Sequence, residues 1–370
     1  MHLLNNTGMV AGYTMGTEPS GHESLVVVVK GTFSLPRQNE PVRLVEEQLP
    51  LLLADTFTGA PGLSAPVDEA DFAPSKPRCD ILLAGRAYAP DGKPATRVPV
   101  GLRIGRWRKT FAVMGSRHWD VRGFAVVPSA PEPFVSLPIS YDCAFGGVDT
   151  RHGDPAQHAA FMRNPVGRGW HRHVKKAWLD GSPLPDTEAL EEPIVRPDGD
   201  YAPMSFGPVG RGWASRLPLA GTYDQHWIDE IFPFLPADFN EAYYQSAPVD
   251  QQMPYPLGGE EVTMVNLTPR GRIAFALPAV EVPIAYLRRN GLVHEARGSL
   301  DTIVLQPERG LLTLTWRSRL RLTKNMLEIS RIVVGRVSRG WWRAREQGKT
   351  WYPSLGELVR QRRQAEDEAV

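Results

Sequence analysis

From Leu312 to Leu322 the side chains alternate: Leu312, Leu314, Trp316, Leu320 and Leu322 share one parity, and Thr313, Thr315, Arg317, Arg319 and Arg321 the other. In an extended chain successive side chains point to opposite faces, so a period of two over this length means a β-strand with one buried and one solvated face. Around this strand the chain must build a sheet. The run Leu25 to Leu35 is β-branched and closes at Pro36, which predicts a second long strand. Cys79 to Tyr88 predicts a third; the turn signal Pro90-Asp91-Gly92 and a return strand from Val98 to Ile104 then predict a hairpin. Thr110 to Met114, Phe124 to Val127, the stretch after Gly259, and Ile329 to Val334 beyond the Lys324-Asn325 turn continue the pattern.

Helices have little room. The chain carries 34 Gly and 34 Pro in 370 residues without low-complexity runs, and both residues penalise helix interiors. Short helices are predicted at Asp154-Pro155, carrying Ala159, Phe161 and Met162, and at Asp238 with Glu241, ahead of Ala242 and Tyr243. A last one is predicted at Ser354 with Glu357, ahead of Leu355, Leu358 and Val359. The expected fold class is mainly β, with antiparallel, sandwich-like sheets, a loop-rich central region and a few short helices. Residues 1–140 form a β-rich N-terminal part, 141–256 an aromatic, loop-rich centre, 257–340 a second β-rich part and 341–370 a helix or tail, all in one integrated domain. The centre is too long to be a loop and is expected to pack on the β-core through its aromatic residues.

Composition narrows the function. A net charge of +1 argues against a dedicated polyanion binder. Two cysteines, Cys79 and Cys143, give no disulfide framework and fit a reducing compartment. No basic n-region with an apolar h-region opens the sequence, and the run Leu25 to Val29 is far too short to span a bilayer. A cytoplasmic location without membrane contact is the expectation.

Chemistry-bearing constellations are incomplete. His152, His158, His171 and His173 lie near Asp142, Asp149 and Asp154, and the His-x-His pair could offer two imidazoles to a zinc ion, but no spacing matches a metal motif. No metal and no cofactor are expected. Asp224 and His226 could form an acid–base pair, yet no nucleophile elbow or full set of catalytic roles can be named. The glycine pairs after Phe145 and Leu257 match no phosphate loop and read as positive-φ turns. From Arg309 to Arg363 there are fourteen Lys/Arg against three Glu, among Trp316, Trp341, Trp342 and Trp351. That could bind a nucleic-acid strand. A solvated face, or pairing with the seven acids of Asp180 to Asp200, accounts for it better, and no nucleic-acid partner is expected.

Recognition is what the residues favour. The centre is rich in Trp, Tyr and Arg, the types that dominate interface hot spots. Pro165-Val166-Gly167-Arg168-Gly169-Trp170 recurs as Pro208-Val209-Gly210-Arg211-Gly212-Trp213, which reads as two similar turns. The candidate partner-binding residues are Arg168, Trp170, Arg211, Trp213, Tyr223, Asp224 and Trp227, with no catalytic residue. The structural alternative is that both repeat tryptophans plug the core. The rival function is a hydrolase using central carboxylates and histidines on a carbohydrate-like substrate.

Six strings also carry a resemblance: Tyr141-Asp142-Cys143-Ala144-Phe145-Gly146-Gly147; Asn164-Pro165-Val166-Gly167-Arg168-Gly169; Gly221-Thr222-Tyr223-Asp224 with Trp227; Leu235-Pro236-Ala237-Asp238-Phe239-Asn240; Ala247-Pro248-Val249-Asp250-Gln251-Gln252; and Asp301-Thr302 with Trp316-Arg317. In order and spacing they resemble a bacterial family of formerly unknown function, encoded beside the type VI secretion spike protein VgrG, the PAAR tip and pentapeptide-repeat proteins. Cys143 departs from the resemblance, which has a polar or basic residue there. The resemblance implies a cytoplasmic adaptor or chaperone that binds a secreted effector and helps load it on the VgrG/PAAR spike. No small-molecule substrate is expected.

Overall fold

The computed structural model describes residues 1–18, 20–36, 41–349, 356 and 359–360. Its centrepiece is a seven-stranded sheet that runs Gln252–Met253, Cys79–Leu83, Ser299–Gln306, Leu311–Arg321, Glu23–Ser34, Val10–Thr17, with Arg43–Leu44 also pairing on Glu23–Ser34. The two strands most legible in sequence are neighbours: Leu312 faces Phe33, Leu314 faces Gly31 and Trp316 faces Val29. Cys79–Leu83 runs parallel to Ser299–Gln306, so strands from both ends of the chain complete one sheet. A five-stranded antiparallel sheet (Thr187–Glu188, Trp107–Met114, Arg97–Ile104, Glu261–Val265, Arg272–Ala276) and a four-stranded sheet (His2–Asn5, Ile329–Val334, Pro283–Arg288, Val293–Arg297) complete the body. One continuous core joins all three, with Leu25, Val27, Leu314 and Trp316 of the first, Leu102 and Phe111 of the second and Tyr286 and Ile332 of the third. The fold is mainly β.

Three expectations change. The 79–104 hairpin does not form: Gly85–Tyr88 pairs with Ser136–Ile139, and Arg97–Ile104 pairs with Trp107–Met114. The Pro90–Gly92 turn is present, with Asp91 at φ 56°, but it links two sheets. Of the helix starts expected at Asp154 and Asp238, the first is a cap and the second lies two residues early, and neither element goes further than one 3-10 turn. Asp154 accepts from the Ala156 amide before Pro155–Gln157, and Asn240, not Asp238, caps Glu241–Tyr244 through the Ala242 amide. The helix expected from Ser354 and Glu357 falls mainly outside the described residues.

The third change concerns the polar face of Leu311–Arg321. Arg319 and Arg321 are exposed, but Thr313, Thr315 and Arg317 are buried. Residues 48–73 cover them. Gln48 brackets the Thr32 backbone, its Oε1 accepting from the amide at 2.7 Å and its Nε2 donating to the carbonyl at 3.1 Å. Arg317 donates to the carbonyls of Asp71 and Ala73. Parity shows that side chains alternate; it does not show what lies over the second face. Acids of 180–200 pair instead with arginines that precede them in the chain. Asp186 pairs with Arg168, Glu188 with Arg117 and Asp200 with Arg163.

Candidate partner-binding surface

The central aromatics divide into two populations. Tyr141, Phe145, Phe206 and Trp213 are buried and fasten the loops to the body. Phe206 meets Phe111 of the five-stranded sheet at 4.7 Å between ring centroids, and Tyr141 meets Trp213 edge-on at 5.1 Å. In the segment 217–239, by contrast, Tyr223 (51% exposed), Ile228 (56%), Phe232 (67%) and Phe234 (46%) face outward.

That segment is ordered by its own polar groups. Gly221, at φ 85°, opens the excursion, and Thr222 donates its amide and hydroxyl to the two Asp238 oxygens at 2.9 and 2.8 Å, closing the loop at its base. These two hydrogen bonds hold the Asp238 carboxyl below its ordinary range. Asp224 accepts from the Trp227 amide at 2.9 Å, starting a single wide turn over Trp227–Ile231. Trp227 is the hub. Its ring meets Tyr223 at 4.7 Å and Phe232 at 5.5 Å, both edge-on, and its indole N–H donates to the Phe234 carbonyl at 2.9 Å. Below the loop the buried Arg216 guanidinium ties the Val209 and Tyr243 carbonyls and Glu69 together. The apolar side chains are therefore held in place before any partner arrives, which lowers the ordering cost of binding.

Of the seven residues singled out in sequence, Tyr223, Asp224 and Trp227 converge here. The repeated turn contributes elsewhere. Arg211 pairs with Asp55 at 3.0 Å and Glu69 at 2.9 Å on the rim of a cleft of about 350 Å³ floored by Trp213. Pro165 and Pro208, the first residues of the two copies, both line that cleft. Trp213 is buried and cannot serve as a surface anchor; Trp170 is half-buried against Phe161, and Arg168 is bound to Asp186. The two copies also differ in shape, since Gly169 takes a positive φ and Gly212 does not. Ile228, Phe232 and Phe234 were not singled out. The signal for the two phenylalanines is a dense apolar run, Ile231-Phe232-Pro233-Phe234-Leu235-Pro236, whose prolines deny it both helix and inner strand.

The remaining candidates resolve into fasteners. Asp142 accepts from the Thr58 hydroxyl and the Ala65 amide, Asn164 donates to the Tyr141 and Phe145 carbonyls, and Gln251 donates to those of Ile81 and Phe206. Asp301 sits at a bulge opposite Trp316 and Thr315 and accepts from Arg317. Lys76, buried beside Asp80, Ser246 and Thr302, is held charged: burial lowers its pKa, and the carboxylates of Asp80, Asp301 and Glu69 more than offset this. Asp224 and His226 do not pair, and His226 leans instead toward Glu230 at 3.9 Å. The His152 and His173 rings meet at 5.2 Å, tilted by 35°, while His158 and His173 hydrogen-bond backbone carbonyls. No group of three possible metal ligands comes together among the described residues.

Over residues 20–317 the chain matches the family described as an uncharacterized protein conserved in bacteria (DUF2169). The chain belongs to that family. The matched span includes the whole aromatic loop and all six motif strings. No curated protein matches the chain, and no solved structure does. No helix among the described residues is long and apolar enough to cross a membrane.

Proposed function

We propose that this DUF2169 member is a non-catalytic protein-binding module whose grip is the aromatic loop 221–239. The observation that carries the reading is the Trp227-centred cluster, which leaves Tyr223, Ile228, Phe232 and Phe234 exposed on a loop tied to a rigid β body. Burying such side chains against a partner is worth about 1.5–3 kcal/mol each before the costs of association. Four of them supply a hot spot of moderate strength, suited to a client that must later be released. Within this reading the motif resemblance narrows the client to a secreted effector, and the role to a cytoplasmic type VI secretion adaptor that loads it on VgrG/PAAR.

The test is co-purification from a strain carrying a neighbouring effector gene, with wild-type protein and a folded Ile228→Ser/Phe232→Ser variant. The reading expects the effector with wild-type protein only, and lower effector abundance or secretion when the gene is deleted. Unchanged effector abundance and secretion in the deletion strain overturn the adaptor role, and equal capture by the variant overturns the loop as the grip.

A further inference from the structure

The formal charge carried by the aromatic loop itself is of one sign. Residues 217–239 contain Asp224, Asp229, Glu230 and Asp238 and no lysine or arginine. All four carboxylates are exposed, and none is ion-paired to a lysine or arginine among the described residues. Asp224 and Asp238 are spent on the loop's own amides, Asp229 accepts from Gln225 at 2.9 Å and Glu230 faces only His226. Arg216, next to the loop in sequence, is buried and committed to Glu69. This acidity is local, because the whole chain carries +1.

A partner that buries Ile228 and Phe232 must approach these carboxylates and remove part of their water. An acidic or neutral apolar surface would leave them uncompensated. Anionic lipid and nucleic acid would be repelled. Resting on the reading that this loop is the grip, we propose that it takes a basic amphipathic segment of its client, with large apolar side chains on one face and Lys/Arg beside them. The apolar face covers Tyr223, Ile228, Phe232 and Phe234, and the cations settle against Asp224, Asp229 and Glu230.

The test uses the full chain and two labelled synthetic helical peptides with one apolar face of leucines, the other face Lys in one and Glu in the other. Anisotropy should show the Leu/Lys peptide binding, weakening as NaCl rises, with the Leu/Glu peptide at least about tenfold weaker. The Asp224→Asn/Asp229→Asn/Glu230→Gln variant should lose about tenfold for the Leu/Lys peptide, the combined effect of three exposed charge pairs, together with most of the salt dependence. Asn retains the capping role of Asp224, so the loop is kept. Equal binding of both peptides, or a neutralised variant that binds like wild type, overturns the basic partner. If Phe232→Ser still loses the peptide in that case, the grip itself stands. A Phe232→Ser variant that binds like wild type overturns the grip.

Discussion

Arg317 Nε donates to Asp301 Oδ2 at 2.6 Å across neighbouring strands, with the two side chains 5% and 2% exposed. The bulge at Asp301 puts the carboxylate there, and the segment over the sheet takes the guanidinium Nη1 through two backbone carbonyls. Removing Arg317 strips the buried Asp301 carboxylate of its ion-pair partner and leaves it the Thr302 hydroxyl at 2.9 Å and the nearby Lys76 charge. Arg317→Met should therefore cost about 3–5 kcal/mol in urea unfolding. Asp301→Leu with Arg317→Met should cost less than the sum of the single changes, with a coupling of about 1–3 kcal/mol. Additive losses would mean that the pair is only incidental.

The two aromatic populations should separate stability from binding. Trp213→Ala empties a site packed against Tyr141 and Val209 and should destabilise by about 3–5 kcal/mol. Phe232→Ser removes a largely exposed ring and its edge-on contact with Trp227, and should cost no more than about 1.5 kcal/mol while weakening client capture. Thermal melts beside pull-downs distinguish the two, and a Trp213→Ala protein that melts normally would contradict its placement in the core.

How far the sequence reveals this molecule depends on which interactions are local. Glu23–Ser34 and Leu311–Arg321 announce themselves because β-branching and parity are properties of the strand alone. The 79–104 hairpin is misread because the partner of Gly85–Tyr88, Ser136–Ile139, lies some fifty residues further on, and a turn signal does not say which sheet follows it. Arg317 looks solvated for the same reason, since its cover comes from residues 71–73. In the candidate surface, Tyr223 and Trp227 are legible as aromatic residues in a loop. Phe232 and Trp213 are indistinguishable by composition, though one faces water and the other fills the core.

Phe145–Gly146 forms a short strand beside Arg168–Gly169, and of the glycines 146 and 147 Gly146 is the less replaceable. It adopts φ 148°, and a Cβ there would stand 2.1 Å from the Asn164 carbonyl oxygen. That carbonyl cannot retreat without breaking its bond from the Gly147 amide. Gly146→Ala should lose about 3 kcal/mol or more. Gly212, in the repeated turn, has no positive φ and open space where a Cβ would go, so Gly212→Ala should lie within about 0.5 kcal/mol of wild type. Paired urea titrations decide between them.

His171 gives the protein a specific acid sensitivity. Its ring is buried, Nε2 has no hydrogen-bond partner among the described residues, and its pKa is pushed down from 6.5 to about 4. Burial is the largest cause and nearby Arg151 adds to it, while Asp149 offsets part of the effect. The folded pKa lies below the unfolded one, so between about pH 6.5 and pH 4 the unfolded chain binds a proton that the folded chain refuses. Stability from this group is intact above pH 6.5 and falls as the pH drops, by at most about 3 kcal/mol, levelling near pH 4. Carboxylates change over an overlapping range, so the comparison is with His171→Leu in the same buffers. The wild type should lose more stability than the variant between pH 7 and pH 4.5, and parallel curves would show that the imidazole is not held neutral by the fold.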